Sequence, residues 1–264
     1  MATVSGFDTA AAVYDASFTQ TEIGKMQRKR VYAYLEPYLN TTTSLNILEL
    51  NCGTGEDALF MANKGHSILA TDVSSVMLNT AKAKSNNHPN IEFQLLNINN
   101  LDELAVSEKF DLIFSNFGGL NCISPKEFQE FFTNASGKLK RGGQFIAVIM
   151  PKKCLWERFY YLLKASPSKA HRRNTNGGIK VEVGESEILT WYYDPKETAT
   201  FAGKSFRRRL IKPIGFLIPP SYLNAFFKNK KVFLKFLAWL ENRIFPFGFL
   251  GTYADHYIII LERK

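Results

Sequence analysis

The feature that most constrains the fold is a short apolar run that ends in a glycine turn and leads directly into a helical pattern. Leu45–Leu50 is followed by Asn51-Cys52-Gly53-Thr54-Gly55, and the helical pattern begins at Glu56. Glycines adopt backbone angles that other residues avoid, and they let a ligand approach the main chain. This arrangement predicts a ligand at the carboxyl end of the first strand of an α/β sheet.

Apolar runs and helical patterns alternate downstream of this turn. Strands are predicted at Ser67–Thr71, Ile91–Leu96, Phe110–Ser115 and Gln144–Met150, and helices at Ser74–Lys84 and Pro125–Leu139. Alternation at this spacing is typical of a parallel sheet with helices on both faces. His256–Glu262 is a β-type run near the end of the chain. We expect it to close the sheet as an antiparallel strand.

These patterns predict four parts: a helical N-terminal cap (1–44), a ligand-binding core (45–150), an insertion (151–220), and a final helix and strand (221–264). Within the insertion, 165–178 is predicted as a loop, and Ile179–Val183, Ile188–Tyr193 and Ser205–Ile211 as strands of a small antiparallel unit. One long helix is predicted over 221–245. The predicted fold class is α/β: a doubly wound, mostly parallel, seven-stranded, Rossmann-like sheet with a helical cap and a β-containing insertion before the last strands.

The residues around the glycine turn resemble the class I methyltransferases that use S-adenosylmethionine (SAM). The first motif of that family reads roughly E/D-x-G-x-G-x-G, and here it is Glu49-Leu50-Asn51-Cys52-Gly53-Thr54-Gly55. Asn51 replaces the first glycine, and asparagine tolerates a positive φ better than most residues. The resemblance continues through Gly65-His66, Asp72-Val73-Ser74 and Met77-Leu78. It covers about residues 8–150 and the final strand.

The resemblance implies a position for each part of the cofactor. Glu49 and the turn at Asn51, Gly53 and Gly55 would lie against the amino-acid part of SAM. Asp72, which ends the second strand, would hold the ribose hydroxyls. The alternative for Asp72 is a purely structural role as the cap of the helix that follows.

The same resemblance assigns the adenine to Val73 and Met77, although Met77 is equally consistent with a core position. Asn97 and Ile98 follow the third strand, where relatives often have an acid that bonds the adenine amino group. Asn97 could accept that bond through its side-chain oxygen. S-adenosylhomocysteine would be the product at this site.

Two further segments are assigned by resemblance to the methyl-transfer end of the cofactor. Asn116 and Phe117 follow the fourth strand and would lie near the sulfonium and its methyl group. Tyr14-Asp15, followed by Phe18, resembles the helical cap that many relatives fold over the cofactor. Packing alone is an equally good interpretation of Tyr14.

A dinucleotide-binding enzyme is the nearest alternative for the same fold. Its fingerprint is G-x-G-x-x-G, and Gly53 and Gly55 supply its first two glycines, with Ala58 in the third position. That substitution is tolerated and does not exclude NAD. Glu49 and Asn116-Phe117 favour SAM.

Methyl transfer requires mainly that the nucleophile be positioned and desolvated, and a general base is optional. The sequence contains no recognisable triad, paired carboxylates or metal cluster, so we expect no metal. Tyr14, His171 and His256 are weak candidates for a catalytic residue. The three scattered cysteines suggest neither a disulfide framework nor a zinc site, and a cytoplasmic location is expected.

The basic charge lies entirely in the second half of the chain. Residues 1–150 contain 12 Lys+Arg and 15 Asp+Glu (net −3), whereas 151–264 contain 21 and 9 (net +12). An anionic partner there and simple solubility are equally good interpretations. The predicted helix at 221–245 has a polar stripe of Lys228, Lys231, Lys235 and Asn242, opposite Phe226, Phe233, Phe236, Leu237, Leu240 and Ile244. A core helix is favoured, and contact with a membrane surface or a lipid-like substrate stays open.

Three functional hypotheses follow. The first is a SAM-dependent methyltransferase acting on a small hydrophobic or acidic metabolite through an O or N acceptor. The aromatic residues of the insertion suit a flat acceptor, and Arg172-Arg173 and Arg207-Arg208-Arg209 suit a carboxylate or phosphate. The second is an RNA methyltransferase, which the absence of a separate RNA-binding module and of an Asn-Pro-Pro-Tyr-type motif disfavours. The third is a non-catalytic SAM-binding module. The sequence leaves the oligomeric state open.

Overall fold

The computed structural model describes residues 7–9, 11–86, 88–183, 186–243 and 247–264. Its strands are β1 (Asn46–Leu50), β2 (Ser67–Asp72), β3 (Ile91–Leu95), β4 (Phe110–Ser115), β5 (Leu139–Ile149), β6 (Ile179–Val183), β7 (Ser186–Thr190), β8 (Phe206–Ile214) and β9 (His256–Arg263). Seven of them form one sheet in the order β3-β2-β1-β4-β5-β9-β8, and β6 and β7 form a separate two-stranded sheet.

Helices cover both faces of the large sheet and extend beyond it. They are α1 (Ala11–Tyr14), α2 (Glu22–Leu39), α3 (Glu56–Ala62), α4 (Ser75–Ser85), α5 (Pro125–Lys138), α6 (Leu155–Leu163), α7 (Pro167–Ala170), α8 (Pro195–Ala202), α9 (Asn224–Phe227) and α10 (Lys231–Arg243). A π-helical turn, Asp15–Thr19, joins the N-terminal segment to α2. No helix among the described residues combines the length and apolar character needed to cross a membrane.

The central strands are apolar on both faces because each face carries its own core. On one face, Leu48, Ile113 and Phe145 belong to a cluster with the phenylalanines of α5. On the other face, Ile47 and Phe114 pack with side chains of α2, α3 and α4. Strands buried on both faces read as continuous apolar runs, and this explains the sequence pattern that predicted them.

The predicted seven-stranded, mostly parallel sheet is confirmed. β1 to β5 are parallel, and β9 is antiparallel to both β5 and β8, as expected for the last strand. The chain leaves β1 for β2 on one side and reaches β4 on the other side, so the loops after β1 and β4 diverge. In doubly wound sheets this reversal of strand order opens a crevice at the carboxyl ends of the strands.

The prediction for the insertion is wrong at its third strand and incomplete in its loop. Ile179–Val183 forms β6 as expected, but β7 ends at Thr190, because the backbone N–H of Trp191 donates to the carbonyl of Asn121 instead of extending the hairpin. The third strand, β8, leaves the insertion and pairs with β9 at the edge of the large sheet. β9 is apolar on both faces, as is typical of a strand in the interior of a sheet. Such a strand pairs along both of its edges, and β8 takes the edge of β9 that β5 leaves open. The predicted loop at 165–178 contains the short helix α7.

The single helix predicted over 221–245 is also wrong. A 3-10 turn covers Ser221–Leu223, α9 follows, and α10 begins only at Lys231. Lysines surround Asn229, and like-charge repulsion together with the modest helix propensity of asparagine disfavours a continuous helix there. The predicted end of that helix, including Ile244, lies outside the described residues.

A buried carboxylate fastens α10 to the turn after β8. The two side-chain oxygens of Glu241 accept the backbone N–H groups of Gly215 (2.9 Å), Leu217 (2.8 Å) and Ile218 (2.8 Å). Burial raises the pKa of Glu241, although these three bonds and the charge of Arg30 favour its ionised form. One side chain thus satisfies three amides that have no strand partner.

Replacing Glu241 by Ala should lower the free energy of unfolding by about 3 kcal/mol, because three buried N–H groups lose their acceptor. Glu241→Gln keeps one acceptor oxygen and should lose less. Urea denaturation checks both values against Glu92→Ala, which alters an exposed glutamate on β3 and should change stability by less than about 0.5 kcal/mol. Equal losses in Glu241→Ala and Glu92→Ala would contradict this role.

Candidate functional site

A cavity of about 540 Å³ opens where the strand order reverses, at the carboxyl ends of β1, β2 and β4. Its wall comes from the loops after these strands, from the N-terminal segment, from β6 and β7, and from the start of β9. Nine of the candidate catalytic and cofactor-binding residues line it: Tyr14, Asn51, Gly53, Asp72, Val73, Met77, Asn116, Phe117 and His256. The fold therefore brings together residues that are separated by up to 242 positions in the chain.

The turn after β1 has the backbone conformation that its glycines suggest. Asn51, Gly53 and Gly55 have φ values of 57°, 54° and 79°. Asn51 thus has the positive φ that asparagine tolerates better than most residues. A Cβ on Gly55 would lie 2.8 Å from the Cβ of Ala81, whereas one on Gly53 would meet only the Tyr14 ring at 4.0 Å. Gly55 therefore serves helix packing, and Gly53 leaves space on the cavity side.

The side chain of Asn51 presents a polar atom that nothing in the described chain satisfies. Its Oδ1 is buried and has no hydrogen-bond partner among the described residues. The side chain also packs against Gly119, where an added Cβ would lie 2.5 Å from Asn51 Cγ. A buried, unpaired carbonyl oxygen in a cavity wall costs free energy unless a ligand donates to it.

Asp72 holds the glycine turn and faces the same cavity. Its Oδ2 accepts the backbone N–H of Gly53 (2.8 Å), and its Oδ1 accepts that of Ser74 (2.9 Å). Burial raises the pKa of Asp72, and these backbone bonds offset part of that effect. The cap of α4 is Ser74, whose hydroxyl accepts from Met77 N (3.1 Å), so Asp72 is not needed as the cap.

Glu49 does not reach the cavity and lies beneath the turn. Burial and the nearby Asp57 raise its pKa well above the usual range, while Arg28 acts in the opposite direction. Asp57 receives hydrogen bonds from Arg28 (2.5 Å), Tyr32 (2.8 Å) and Asn116 (3.0 Å). No local sequence pattern indicates this network, because Arg28 and Tyr32 lie on α2, one turn apart, and α2 meets α3 only in the folded chain.

Phe117 follows β4 in a conformation that is unusual for a side chain of its size. Its φ is +43°, in the left-handed region where a bulky residue is strained. The N–H of Phe117 donates to the side-chain oxygen of Asn116 (3.0 Å). Its ring packs edge-on against Phe18 (4.7 Å between centroids) and His256 (5.6 Å), and the Arg28 guanidinium lies 5.2 Å from its centroid. Strain of this kind concentrates at functional sites.

The N-terminal segment is fixed over the turn by a charge pair. Asp15 accepts from Lys84 on α4 (2.7 Å) and from the hydroxyl of Thr54 (2.7 Å). Burial would raise the pKa of Asp15, but these bonds lower it overall. Tyr14, next in the chain, lines the cavity, and burial raises its pKa to about 12. Tyr14 therefore keeps its proton and is suited to donate a hydrogen bond rather than to act as a base.

His256 stands at the opening of β9 beside a buried carboxylate. Its Nδ1 lies 3.2 Å from Oδ2 of Asp255 without forming a hydrogen bond to any described residue. Arg173 donates to Oδ1 of Asp255 (3.1 Å) and to its backbone carbonyl (3.1 Å). Burial would raise the pKa of Asp255, but the adjacent His256 and the charge and hydrogen bonds of Arg173 lower it below its ordinary value. The imidazole thus faces a carboxylate that stays ionised.

The remaining sequence candidates lie elsewhere. The side chain of Asn97 is exposed, and its Oδ1 accepts the N–H of Asn99 (3.0 Å). Ile98 is buried in the core. His171 is exposed and its Nδ1 lies 3.2 Å from the carbonyl of Pro167. None of these three is part of the cavity wall.

The far side of the cavity is built by the insertion. Apolar side chains of β6 and β7 face it, as do Tyr192 and Tyr222. Arg172 and Arg173 also line it, but both guanidinium groups donate to the buried Glu157, at 2.8 Å and 2.9 Å. The Arg207-Arg208-Arg209 run lies on the edge strand β8, away from the cavity, where Arg209 pairs with Glu262.

No group of three or more His, Cys, Asp or Glu side chains within the described ranges is arranged to hold a metal ion. The residues that do converge on the cavity are a carboxylate, an unpaired amide oxygen, apolar side chains and an imidazole–carboxylate pair. This set suits a molecule with hydroxyl and amino groups at one end and an apolar surface at the other.

Comparison with known proteins agrees with this geometry. A model described as a methyltransferase domain matches residues 47–143. The demethylmenaquinone methyltransferase of Paenarthrobacter aurescens (strain TC1) is 27% identical over 189 residues, which are 70% of either chain.

Two solved structures are similar in fold. The CcbJ methyltransferase from Streptomyces caelestis has a TM-score of 0.62 at 16% identity over 98% of both chains. The magnesium protoporphyrin IX methyltransferase (ChlM) from Synechocystis PCC 6803, solved with bound S-adenosylhomocysteine, has a TM-score of 0.57 at 14% identity over 92% of this chain and 85% of that one.

Substitutions at Asn51 should separate backbone strain from the side-chain contact. Asn51→Ala places alanine, which tolerates a positive φ poorly, at φ 57° and should lower the free energy of unfolding by about 1–2 kcal/mol. Asn51→Gly removes the same side chain without that strain, and its free energy of unfolding should lie within about 0.5 kcal/mol of that of the unaltered chain. Chemical denaturation of the two variants tests this, and the account fails if alanine is tolerated as well as glycine.

Proposed function

We propose that this chain, a SAM-dependent methyltransferase of class I, transfers the methyl group of SAM to a small hydrophobic molecule. The observation that carries the proposal is the cavity at the strand-order reversal. One of its ends suits the polar cofactor, and its other end is apolar and holds one imidazole. The acceptor would contribute an O–H or N–H group to the transfer.

The cofactor end is proposed at the loops after β1 and β2. Asp72 would accept the ribose hydroxyls, and Asn51 Oδ1 would receive a donor from the amino-acid part, which would remove the cost of an unpaired buried oxygen. Val73 and Met77 offer apolar contacts to the adenine. When bound, SAM supplies an electrophilic methyl group on a sulfonium, and this needs no metal.

Four further candidates are proposed to act on the cofactor only indirectly, because they are not part of the cavity wall: Glu49, Gly55, Asn97 and Ile98. Asn116 and Phe117 would border the reacting atoms, since both line the cavity between the turn after β1 and His256. The positive φ of Phe117 turns its ring toward Phe18 and His256, where it would exclude water. A dry site favours transfer because the nucleophile sheds its hydration shell there.

A hydrophobic acceptor is better supported than an acidic one. Val181, Val183 and Ile188 line the cavity from β6 and β7 beside Glu182 and Thr190, and Tyr192 and Tyr222 add two aromatic rings. Arg172 and Arg173 already donate to Glu157, and Arg173 also donates to Asp255, so neither guanidinium is left without a carboxylate partner. An acidic acceptor would have to compete with those partners. The Paenarthrobacter relative is named for a demethylmenaquinone substrate, which agrees with a hydrophobic ring.

His256 is the proposed general base. The carboxylate of Asp255 lies 3.2 Å from Nδ1 and would orient the ring, which leaves the other ring nitrogen to take the acceptor proton. Arg173 and Gln27 position Asp255 in turn, with donor distances of 3.1 Å and 3.3 Å. Tyr14, which keeps its proton, would donate a hydrogen bond beside the turn after β1, where its ring lies next to Gly53.

Asp72→Ala should weaken the binding of SAM and S-adenosylhomocysteine at least tenfold, because the ribose loses its acceptor and the glycine turn loses a bond. Isothermal titration calorimetry measures this against Asp102→Ala, which removes an exposed carboxylate far from the turn. Unchanged binding in Asp72→Ala, or binding of NAD in place of SAM, would contradict the proposed cofactor site.

His256→Ala should reduce kcat for a phenolic or hydroxyl acceptor by about 10² to 10⁴ while leaving SAM affinity within about twofold. Asp255→Asn should give a smaller loss. Added imidazole should restore part of the rate only in His256→Ala, and His171→Ala, with its exposed ring, serves as the matched control. Equal rates in His256→Ala and the unaltered chain would remove His256 from the mechanism.

A screen of hydrophobic phenols, quinols and acids with radiolabelled SAM tests the acceptor class. Methylation of an apolar hydroxyl compound supports the proposal. Transfer only to RNA would favour the RNA-methyltransferase alternative. SAM binding without transfer to any acceptor would favour a non-catalytic binding role.

A further inference from the structure

Exposed apolar side chains are concentrated in two stretches of the second half of the chain. Among the described residues, 16 large apolar side chains are exposed, and 10 of them lie within 155–163 or 222–239. Singly scattered apolar residues are normal at a protein surface, but a concentration of this kind marks an interaction site. Within these two stretches the most exposed are Val232 (83%), Leu163 (72%) and Phe226 (65%).

The two stretches pack against each other through one small apolar cluster. Trp156 of α6 packs edge-on against Phe227 (6.1 Å between ring centroids), and Phe227 shares a buried cluster with Leu234 of α10. The ring centroid of Tyr160 on α6 lies 5.8 Å from that of Tyr222. We call the exposed part of this region the aromatic–basic surface, with Phe159, Leu163, Phe226, Phe233, Phe236 and Trp239 as its apolar members.

Helix α10 has two apolar faces, and only one of them is used inside the protein. Leu234 and Leu237 are buried, whereas Val232, Phe236 and Trp239 point to solvent. The sequence-based preference for a core helix whose phenylalanines are buried is therefore wrong, because Phe226, Phe233 and Phe236 are each about half exposed or more. An ordinary surface helix buries its apolar stripe and exposes its polar one.

Basic side chains are interleaved with these aromatic rings. Segment 221–243 contains five Lys+Arg and one acidic residue, Glu241, which is buried and bonded to backbone amides. Lys230 Nζ lies 3.4 Å from the Phe226 ring centroid, and the Arg243 guanidinium lies 4.8 Å from that of Trp239. Aromatic rings with cationic groups beside them are typical of helices that lie in the interface of an anionic bilayer.

We propose that the aromatic–basic surface docks on an anionic lipid bilayer, with α10 lying in the interface plane. The positive charge of the segment complements anionic headgroups, and the exposed rings would enter the acyl boundary. Tyr222 is exposed next to this surface, beside Tyr160 of α6, and also lines the 540 Å³ cavity, so the docked face adjoins the cavity mouth. A lipid-soluble acceptor could thus enter from the bilayer, although docking itself does not depend on the proposed reaction.

Vesicle flotation tests the docking. The protein should float with phosphatidylcholine vesicles that contain phosphatidylglycerol, and should float less with pure phosphatidylcholine or at high salt. The double variant Phe236→Ser/Trp239→Ser should bind at least tenfold more weakly, whereas Leu95→Ser, an exposed leucine on β3, should bind normally. Equal flotation of the double variant and Leu95→Ser would overturn the proposal.

Reversing the charge of surface lysines is an independent test of docking on the bilayer. Lys228→Glu/Lys235→Glu should reduce binding at least tenfold, and Lys204→Glu, an exposed lysine beside β8, should have a much smaller effect. Circular dichroism confirms that each variant is folded. Absence of flotation together with a concentration-dependent dimer that Phe236→Ser/Trp239→Ser dissociates would overturn the proposal in favour of a second copy of the chain.

Discussion

The architecture of the site depends on the hydrogen bonds that the buried carboxylate of Asp57 accepts. This carboxylate joins α3 to α2 through Arg28 and Tyr32, and to the loop after β4 through Asn116. Burial alone would lower the pKa of Arg28, but the facing Asp57 more than offsets this and raises it. Arg28 therefore keeps its positive charge although its side chain is mostly buried. A buried pair of this kind is costly to break, because either partner alone would be left uncompensated.

This network explains the conformations above it. Arg28 lies between Asp57 and the ring of Phe117, and Phe117 in turn contacts Phe18 and His256. The strained backbone of Phe117 is retained because the contacts around it fix the position of its ring. The glycine turn, the N-terminal segment and the loop after β4 are thereby held in one arrangement around the cavity.

A second buried network supports the acceptor side of the cavity. Glu157, Arg173 and Asp255 form a continuous chain of ion pairs from α6 to the start of β9. It fixes the carboxylate beside His256 and at the same time occupies the arginines that would otherwise recognise an anion. The same interactions would thus support the proposed base and favour the proposed uncharged acceptor.

The sequence by itself determined the large sheet, the glycine turn and the cofactor side of the cavity. These features depend on neighbours in the chain: apolar runs of strand length, positive φ at Asn51 and Gly53, and an acid at the end of the next strand. The positions of Asn51, Asp72 and Met77 in one wall follow from these local rules and from the parallel order of β1 and β2.

Only the tertiary structure decided which charged side chains pair with each other. It also decided where the strands and helices of the second half of the chain pack. Arg28 meets Asp57 across 29 positions, and Arg173 meets Asp255 across 82, so no local pattern could reveal either pair. β8 joined the large sheet because β9 had an open edge, and α10 kept one apolar face exposed because its other face was already packed. Periodicity identifies an apolar face, but what covers that face depends on the rest of the fold.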